Sequence, residues 1–281
     1  IGNQCADEAS FRKPDPCASA AWLPRVAALA ARTHASVMVN VGANKGWELL
    51  RFLQLWRAGP GAEPTVPQAR WNVASSEWLA AIRRFARSKG SGHLEFSACG
   101  ACHECRSPPW PRLLKISSPP RVHALELSAA NRALLRTLLT ESGMASVVQV
   151  HDLAASKTSG PVSVERGASG LLGFEGGGIA MSVQRGRRRR GGKRATGTGA
   201  TIENATSLDS FLVAQRLTSV LLLHIDAEGH DALILEGART ALHQRRVAIV
   251  RFEYGVKGFW SPCAREPRTL AGTQAWLLDL G

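Results

Sequence analysis

Apolar positions along the chain follow two rhythms that alternate: short unbroken runs rich in β-branched residues, and longer stretches with apolar residues at helical spacing. Residues 37–41 form the first run, and the spacing after it predicts a helix over 45–56. An alanine- and leucine-rich helix over 18–32 leads into it. The pair recurs as a strand over 121–127 and a helix over 128–142 stopped by Gly143, followed by a strand over 147–151. Farther on, Thr206 or Ser207 caps a helix, 217–225 is a strand, 231–243 a helix, 247–252 a strand and 269–280 a helix. Such alternation, with unbroken apolar strands, predicts an α/β fold whose parallel sheet is covered by helices on both faces.

Two stretches interrupt the rhythm. Over 57–120, prolines bracket a predicted helix at 77–88 and a cysteine cluster, so this reads as an insertion. Cys99, Cys102 and Cys105 give two overlapping C-x-x-C spacings with His103 between them. Two thiolates at that spacing hold one zinc, and Cys105 or His103 adds a third ligand where a closed site wants four. The alternative is a disulfide-stapled insertion with Cys5, Cys17 or Cys263 as partners, since the six cysteines are even in number. A redox role ranks behind both, because a thioredoxin-like pair opens a helix after a strand.

Residues 157–200 run glycine-rich and basic around one strand at 161–165, and read as a mobile loop region over a ligand. The whole is read as one domain over 1–281, with 1–35 as a lead-in. It starts at Ile1 rather than Met, the mark of a processed chain or a piece of a longer one. No apolar run nears the roughly 18–20 residues that span a bilayer, and the N-terminus lacks a signal peptide's regions.

The formal net charge of +13 suggests a nucleic-acid partner until the charges are located. Seven belong to Arg185, Arg187, Arg188, Arg189, Arg190, Lys193 and Arg194, leaving +6 for the rest. Interleaved with glycines, this tract has the composition of a solvated, flexible loop, with an acidic partner as the alternative use. One tyrosine and eight phenylalanines, none of them in the tract, argue against a base-stacking surface.

The chemistry concentrates at the turn after the first strand. Gly42 and Gly46 let the backbone bend sharply and approach a ligand, and the helix behind them offers unpaired N–H groups. A dinucleotide site wants G-x-G-x-x-G, but Asn44 stands at the second glycine's place. Residues 39–46 instead resemble motif I of class I S-adenosylmethionine (SAM) methyltransferases, in the "VGAN.G" form of the FkbM-type family. "SLDSFL" (207–212), "LLLHIDAEGHDALILEGA" (221–238) and "VAIVRFEYG" (247–255) resemble, in order and spacing, that family's "TLDsfl", "KIDvEGhE…vL.GA" and a strand ending "FEy". The resemblance covers about 36–56 and 121–260.

It implies a Rossmann-like class I methyltransferase sheet whose strand ends line up over one edge. It also implies SAM as cofactor and a hydroxyl of a small molecule or glycan as acceptor. Gly42, Ala43, Asn44 and Gly46 would form the cofactor turn. Asn40 stands where this class commonly places an acid facing the methionine end, and an Asn keeps the hydrogen bond while losing the charge attraction. Glu126, closing the second strand, lies where ribose hydroxyls sit and can accept both their hydrogen bonds, or else is a solvent-facing strand-end acid. Asp152 would flank the adenine, at a place where the family more often has asparagine.

For catalysis, Asp226 at the fourth strand's end faces the methionine end or the acceptor hydroxyl. Glu228 and His230 bind the acceptor or support the helix start, and Glu253 with Tyr254 lines the acceptor pocket or forms structural hydrogen bonds. Converging carboxylates look the same in sequence around a substrate or a metal, and no metal is assigned. After residue 280 no sixth or seventh strand follows, so the fold's usual antiparallel hairpin is expected to be truncated, leaving an exposed sheet edge. The rival from another class is a degenerate, non-catalytic domain that binds an acidic partner through the arginine tract.

Overall fold

Val37–Val41 is strand β1, and all five of its side chains are buried, as a strand covered by helices on both faces requires. The computed structural model describes residues 23–33, 36–55, 73, 75–89, 120–165, 181–182, 200–254, 260 and 268–280. All six cysteines and the arginine tract lie outside the described residues, and with them the zinc and disulfide readings. The elements are α1 (Leu23–Thr33), β1, α2 (Trp47–Gln54), α3 (Ser75–Ser88), β2 (Arg121–Leu125), α4 (Ala129–Glu141), β3 (Val148–His151), β4 (Ala154–Ala155), β5 (Gly160–Glu165), β6 (Met181–Ser182), β7 (Ala200–Thr206), α5 (Leu208–Ala214), β8 (Val220–Ile225), α6 (Asp231–Glu236), α7 (Arg239–His243), β9 (Val247–Phe252) and α8 (Leu270–Asp279).

Five strands form one parallel sheet in the order β3-β2-β1-β8-β9. The chain steps outward from β1 to β3 on one side, then returns to place β8 and β9 on the other. The reversal falls between β1 and β8, the point at which open α/β sheets leave a crevice at their carboxyl ends. Alternate side chains divide the core. Met38, Val122, Ala124 and Leu222 meet α1, α2, α3 and α4 on one face. On the other, Val39, Val41, Leu125, Leu223 and Ile225 meet α5, α6 and α7. Among the described residues β9 is an edge of this sheet, and no helix is long and apolar enough to cross a membrane.

Local signals account for most of the boundaries. Ser128, Ser207 and Thr269 cap α4, α5 and α8, each accepting an N–H from three residues on; the cap of α5 is Ser207, not Thr206. The helix in the 57–120 insertion is part of the core. Trp78 of α3 is 1% exposed, and its indole N–H donates to the Lys45 carbonyl at 2.9 Å, just under the glycine turn.

Two expectations need correction. The helix expected over 231–243 is two short helices broken at Gly237–Ala238. Gly237 packs so closely on the Ser156 carbonyl that a Cβ there would lie 2.2 Å from the oxygen. α7 then has no capping side chain of its own, and Asp209 of α5 supplies one from across the packing. Its carboxylate accepts the Thr240 and Ala241 N–H groups at 2.9 and 2.8 Å. Second, the stretch around 157–200 carries more than one strand. β4, β7, β5 and β6 form a small second sheet in that order, with β5 and β7 antiparallel over six residue pairs.

Candidate active site

The ladder registers of the parallel sheet align its strand ends. Leu125 pairs with His151, Val41 with both Leu125 and Ile225, and Ile225 with Phe252. The residues one step beyond the ladder are therefore Asp152, Glu126, Gly42, Asp226 and Glu253, in a single row along the carboxyl rim. Backbone hydrogen bonds lace the row together. The Gly42 and Ala43 N–H groups donate to the Leu125 carbonyl (3.0 and 3.3 Å), Glu126 to His151 (3.2 Å), Asp226 to Val41 (3.0 Å) and Glu253 to Ile225 (3.1 Å).

Gly42 stands at the centre of the row in the left-handed region, at φ +75. Asn44 (φ +44) and Gly46 (φ +78) repeat that conformation, so the turn folds back on itself before α2 begins. Glu126 fixes the turn. Its Oε2 accepts the Asn44 N–H and its Oε1 the Ser128 N–H, both at 2.7 Å. Burial raises its pKa, against the lowering effect of those two amides, Arg132 and Asn131. With the Asn131 side chain as a third hydrogen-bond partner, three of its four acceptor sites face the protein and one remains for a ligand hydroxyl.

Around the row, Arg132 of α4 donates to the Glu126 and Leu127 carbonyls (3.0 and 2.6 Å) and pairs with Asp152 at 2.5 Å. The Asp152 carboxylate is thus held toward α4 while remaining exposed. Asp226 is exposed and Glu228 half-buried, with Glu228 at φ +52 and Gly229 at φ +90.

Two residues sit differently from their sequence reading. Asn40 is 1% exposed, and its Oδ1 lies 2.9 Å from Nδ1 of His224, its ladder partner on β8. The side chain is engaged inside the sheet rather than at the ligand edge, because position 40 falls on the α2-facing side of the strand. His230 is 4% exposed and occupies the N-cap place of α6 without a side-chain cap bond. Burial lowers its pKa to about 4, so it stays neutral in ordinary buffers.

Sequence reasoning passed over Asp231, which looks like a routine acid at a helix start but is fully buried. It passed over His224 as well, which reads as one more residue of an apolar strand. Among the described residues no three His, Cys, Asp or Glu side chains are arranged to hold a metal ion.

The buried histidines set an acid limit on stability. Burial lowers the pKa of His230, and of His123 together with the charges of His151 and Arg121, to about 4; burial with Arg251 and Arg51 takes His224 well below its usual value. The unfolded chain protonates them below about 6.5 while the fold does not, so each withdraws stability as pH falls from 6.5 toward 4. Asp231 and Glu126, whose pKa values are raised, act in the opposite sense over part of that window. Burial lowers the pKa of the half-buried His151 as well, and four groups against two leave a net loss. Thermal melts from pH 7 to pH 5 are expected to show Tm falling by about 5–10 °C; a Tm that rises toward pH 5 contradicts the neutral burial of these rings.

The family model described as methyltransferase FkbM domain matches residues 77–266, from α3 past β9, so the glycine turn lies ahead of the matched stretch. The chain is similar to the crystal structure of methyltransferase FkbM from Methylobacillus flagellatus KT, with 12% identity and a TM-score of 0.40 over 88% of this chain. It spans 37% of that protein's length. No curated protein matches it. With the family model matching about two thirds of its residues, the chain belongs to the FkbM family of methyltransferases.

Proposed function

We propose that the chain is a SAM-dependent O-methyltransferase acting on a hydroxyl of a small molecule or glycan, with its crevice over the ends of β1 and β8. The observation that carries this reading is the row Asp152, Glu126, Gly42, Asp226, Glu253. Four of its five members are acids on a chain of net charge +13, at the one edge where a parallel sheet binds ligands. A cofactor bearing a sulfonium and an ammonium group suits such a rim, and a ribose hydroxyl suits a carboxylate that keeps an acceptor site open there.

Glu126 and Asp152 would hold the nucleoside side, and the turn from Gly42 through Ala43 and Asn44 to Gly46 the middle. Asp226 would face the methyl group and the acceptor hydroxyl, with Glu228 and Glu253 on either side of it. When bound, SAM supplies an electrophilic methyl group on sulfur. The residues contribute position and proton removal: a hydroxyl held in line at close approach reacts faster by pre-paid orientation, and Asp226 accepts its proton.

Titration calorimetry with SAM tests the reading, followed by incubation with labelled SAM and a panel of sugars and hydroxylated small molecules. Micromolar binding is expected. Glu126→Gln should weaken it about tenfold, the worth of one charge-assisted hydrogen bond. Wild-type protein that binds no SAM at about 1 mM sinks the proposal.

A further inference from the structure

Asp231 is not a member of the row, yet its carboxylate is bonded to the backbone of both tips that carry candidate catalytic acids. Its side chain is fully buried. Oδ2 accepts the Gly229 N–H at 3.2 Å, from the turn that follows β8. Oδ1 accepts the Glu253 N–H at 3.3 Å, from the end of β9. The Ala227 N–H and its own also point at the carboxyl group. One carboxylate therefore gathers backbone amides from two strand tips.

The β8 tip needs such a partner. Between Asp226 and Asp231 the chain passes through Glu228 and Gly229, both left-handed, and a non-glycine residue there resists that conformation. Without an internal acceptor the turn would relax and carry Asp226 with it.

We infer that Asp231 is a positioning residue of methyl transfer, holding the tip with Asp226 and Glu228 at a fixed separation from the tip with Glu253. This rests on the reading that those acids surround the acceptor hydroxyl. Asp231 itself contacts neither cofactor nor acceptor.

Protonation gives the inference an independent readout. Burial, and secondarily the like charge of Glu253, push the Asp231 pKa up to about 7, against the amides that favour its ionised form. Glu253 is the charged group that faces it from β9, and His230 beside it on the β8 side is neutral. A protonated carboxyl group accepts fewer N–H bonds, so the two tips are joined firmly above neutrality and less so below it.

The test uses the full chain and Asp231→Asn. Four quantities are measured: SAM affinity by calorimetry, methyl transfer from labelled SAM to a mixture of methyl glycosides, the pH dependence of that rate, and amide hydrogen exchange at Gly229 and Glu253. The expected result is a SAM Kd within twofold of wild type, kcat lowered about tenfold, loss of an inflection near pH 7, and faster exchange at both amides. Exchange in the wild type, which needs no variant, should itself quicken as pH is taken below 7, after correction for the intrinsic rate. An Asn variant with wild-type kcat, the same inflection and unchanged protection overturns the inference. If the wild type binds no SAM, it is the methyltransferase reading that fails. The exchange data then decide the clamp alone: joint loss of protection at both amides supports it, and retained protection refutes it.

Discussion

Gly42→Ala is expected to abolish detectable SAM binding and to lower Tm by more than 10 °C. A Cβ at position 42 would lie 1.9 Å from the Asp226 carbonyl oxygen and 2.9 Å from its carbon. Both are backbone atoms, so no side chain can swing away to relieve the contact. The added residue must also hold φ at +75, which costs about 1–2 kcal/mol for an L-residue, and overpacking adds about 1–3 kcal/mol more. The sum is a sizeable part of the roughly 5–15 kcal/mol that keeps a domain folded.

Relief comes only if β1 and β8 separate at their tips, which breaks the Asp226-to-Val41 hydrogen bond and opens the crevice where the cofactor is expected. Gly46→Ala makes the control. A Cβ there shares the left-handed strain (φ +78) but meets side-chain rather than backbone atoms, Leu135 at 2.8 Å and Trp78 at 3.0 Å, so a milder loss is expected. Calorimetry with SAM and thermal melts on both variants check the pair. A Gly42→Ala protein that binds SAM as the wild type does would place the cofactor somewhere other than the β1–β8 crevice.

The central row is legible in the sequence because each strand end coincides with a change of rhythm. An apolar run halts at Glu126, at Gly42, at Asp226 and at Glu253, and a parallel sheet brings those halts to one rim whatever the strand order. Side-chain direction is less legible. Asn40 lies two residues before the turn glycine and invites a ligand role, but its partner is 184 residues away on β8, and only the register of β1 against β8 brings the two together.

That pairing also explains the residue choice. His224 sits fully inside the sheet with Arg251 and Arg51 nearby, and burial with those charges keeps it neutral. A neutral amide oxygen accepts the N–H of a neutral imidazole; a carboxylate in its place would draw a proton onto the ring and bury an ion pair. The missing acid at position 40 is therefore matched by its neighbour, and does not by itself mark the site as degenerate.

What stays illegible has a common cause. β7 reads Ala-Thr-Ile-Glu-Asn-Ala-Thr, small and polar residues that pair by backbone hydrogen bonds and carry little hydrophobic signal. The break at Gly237 is imposed by the Ser156 carbonyl, from a segment about eighty residues earlier. Asp231 shows the same composition and position as a solvent-facing acid that complements a helix dipole, and only its burial separates the two. In each case the deciding contact comes from a distant part of the chain.

Asp226→Ala is expected to lower methyl-transfer turnover by about 10²–10⁴-fold, the range for loss of a general base, while SAM binding weakens by less than about tenfold. The split follows from where the residue stands. Asp226 is exposed at the tip of β8, beside Gly42 but across it from Glu126, so most of the proposed cofactor contacts would lie on the other side of the central glycine. Asp226→Asn separates the parts of the role. The amide preserves shape and one hydrogen bond, loses the charge and cannot take a proton, so a variant as inactive as the alanine one assigns the loss to proton removal. Recovery of most of the activity would assign it to positioning instead. If both variants turn over like wild type while Glu253→Gln does not, the base belongs on β9, and the acceptor hydroxyl lies one strand farther from the glycine turn than proposed.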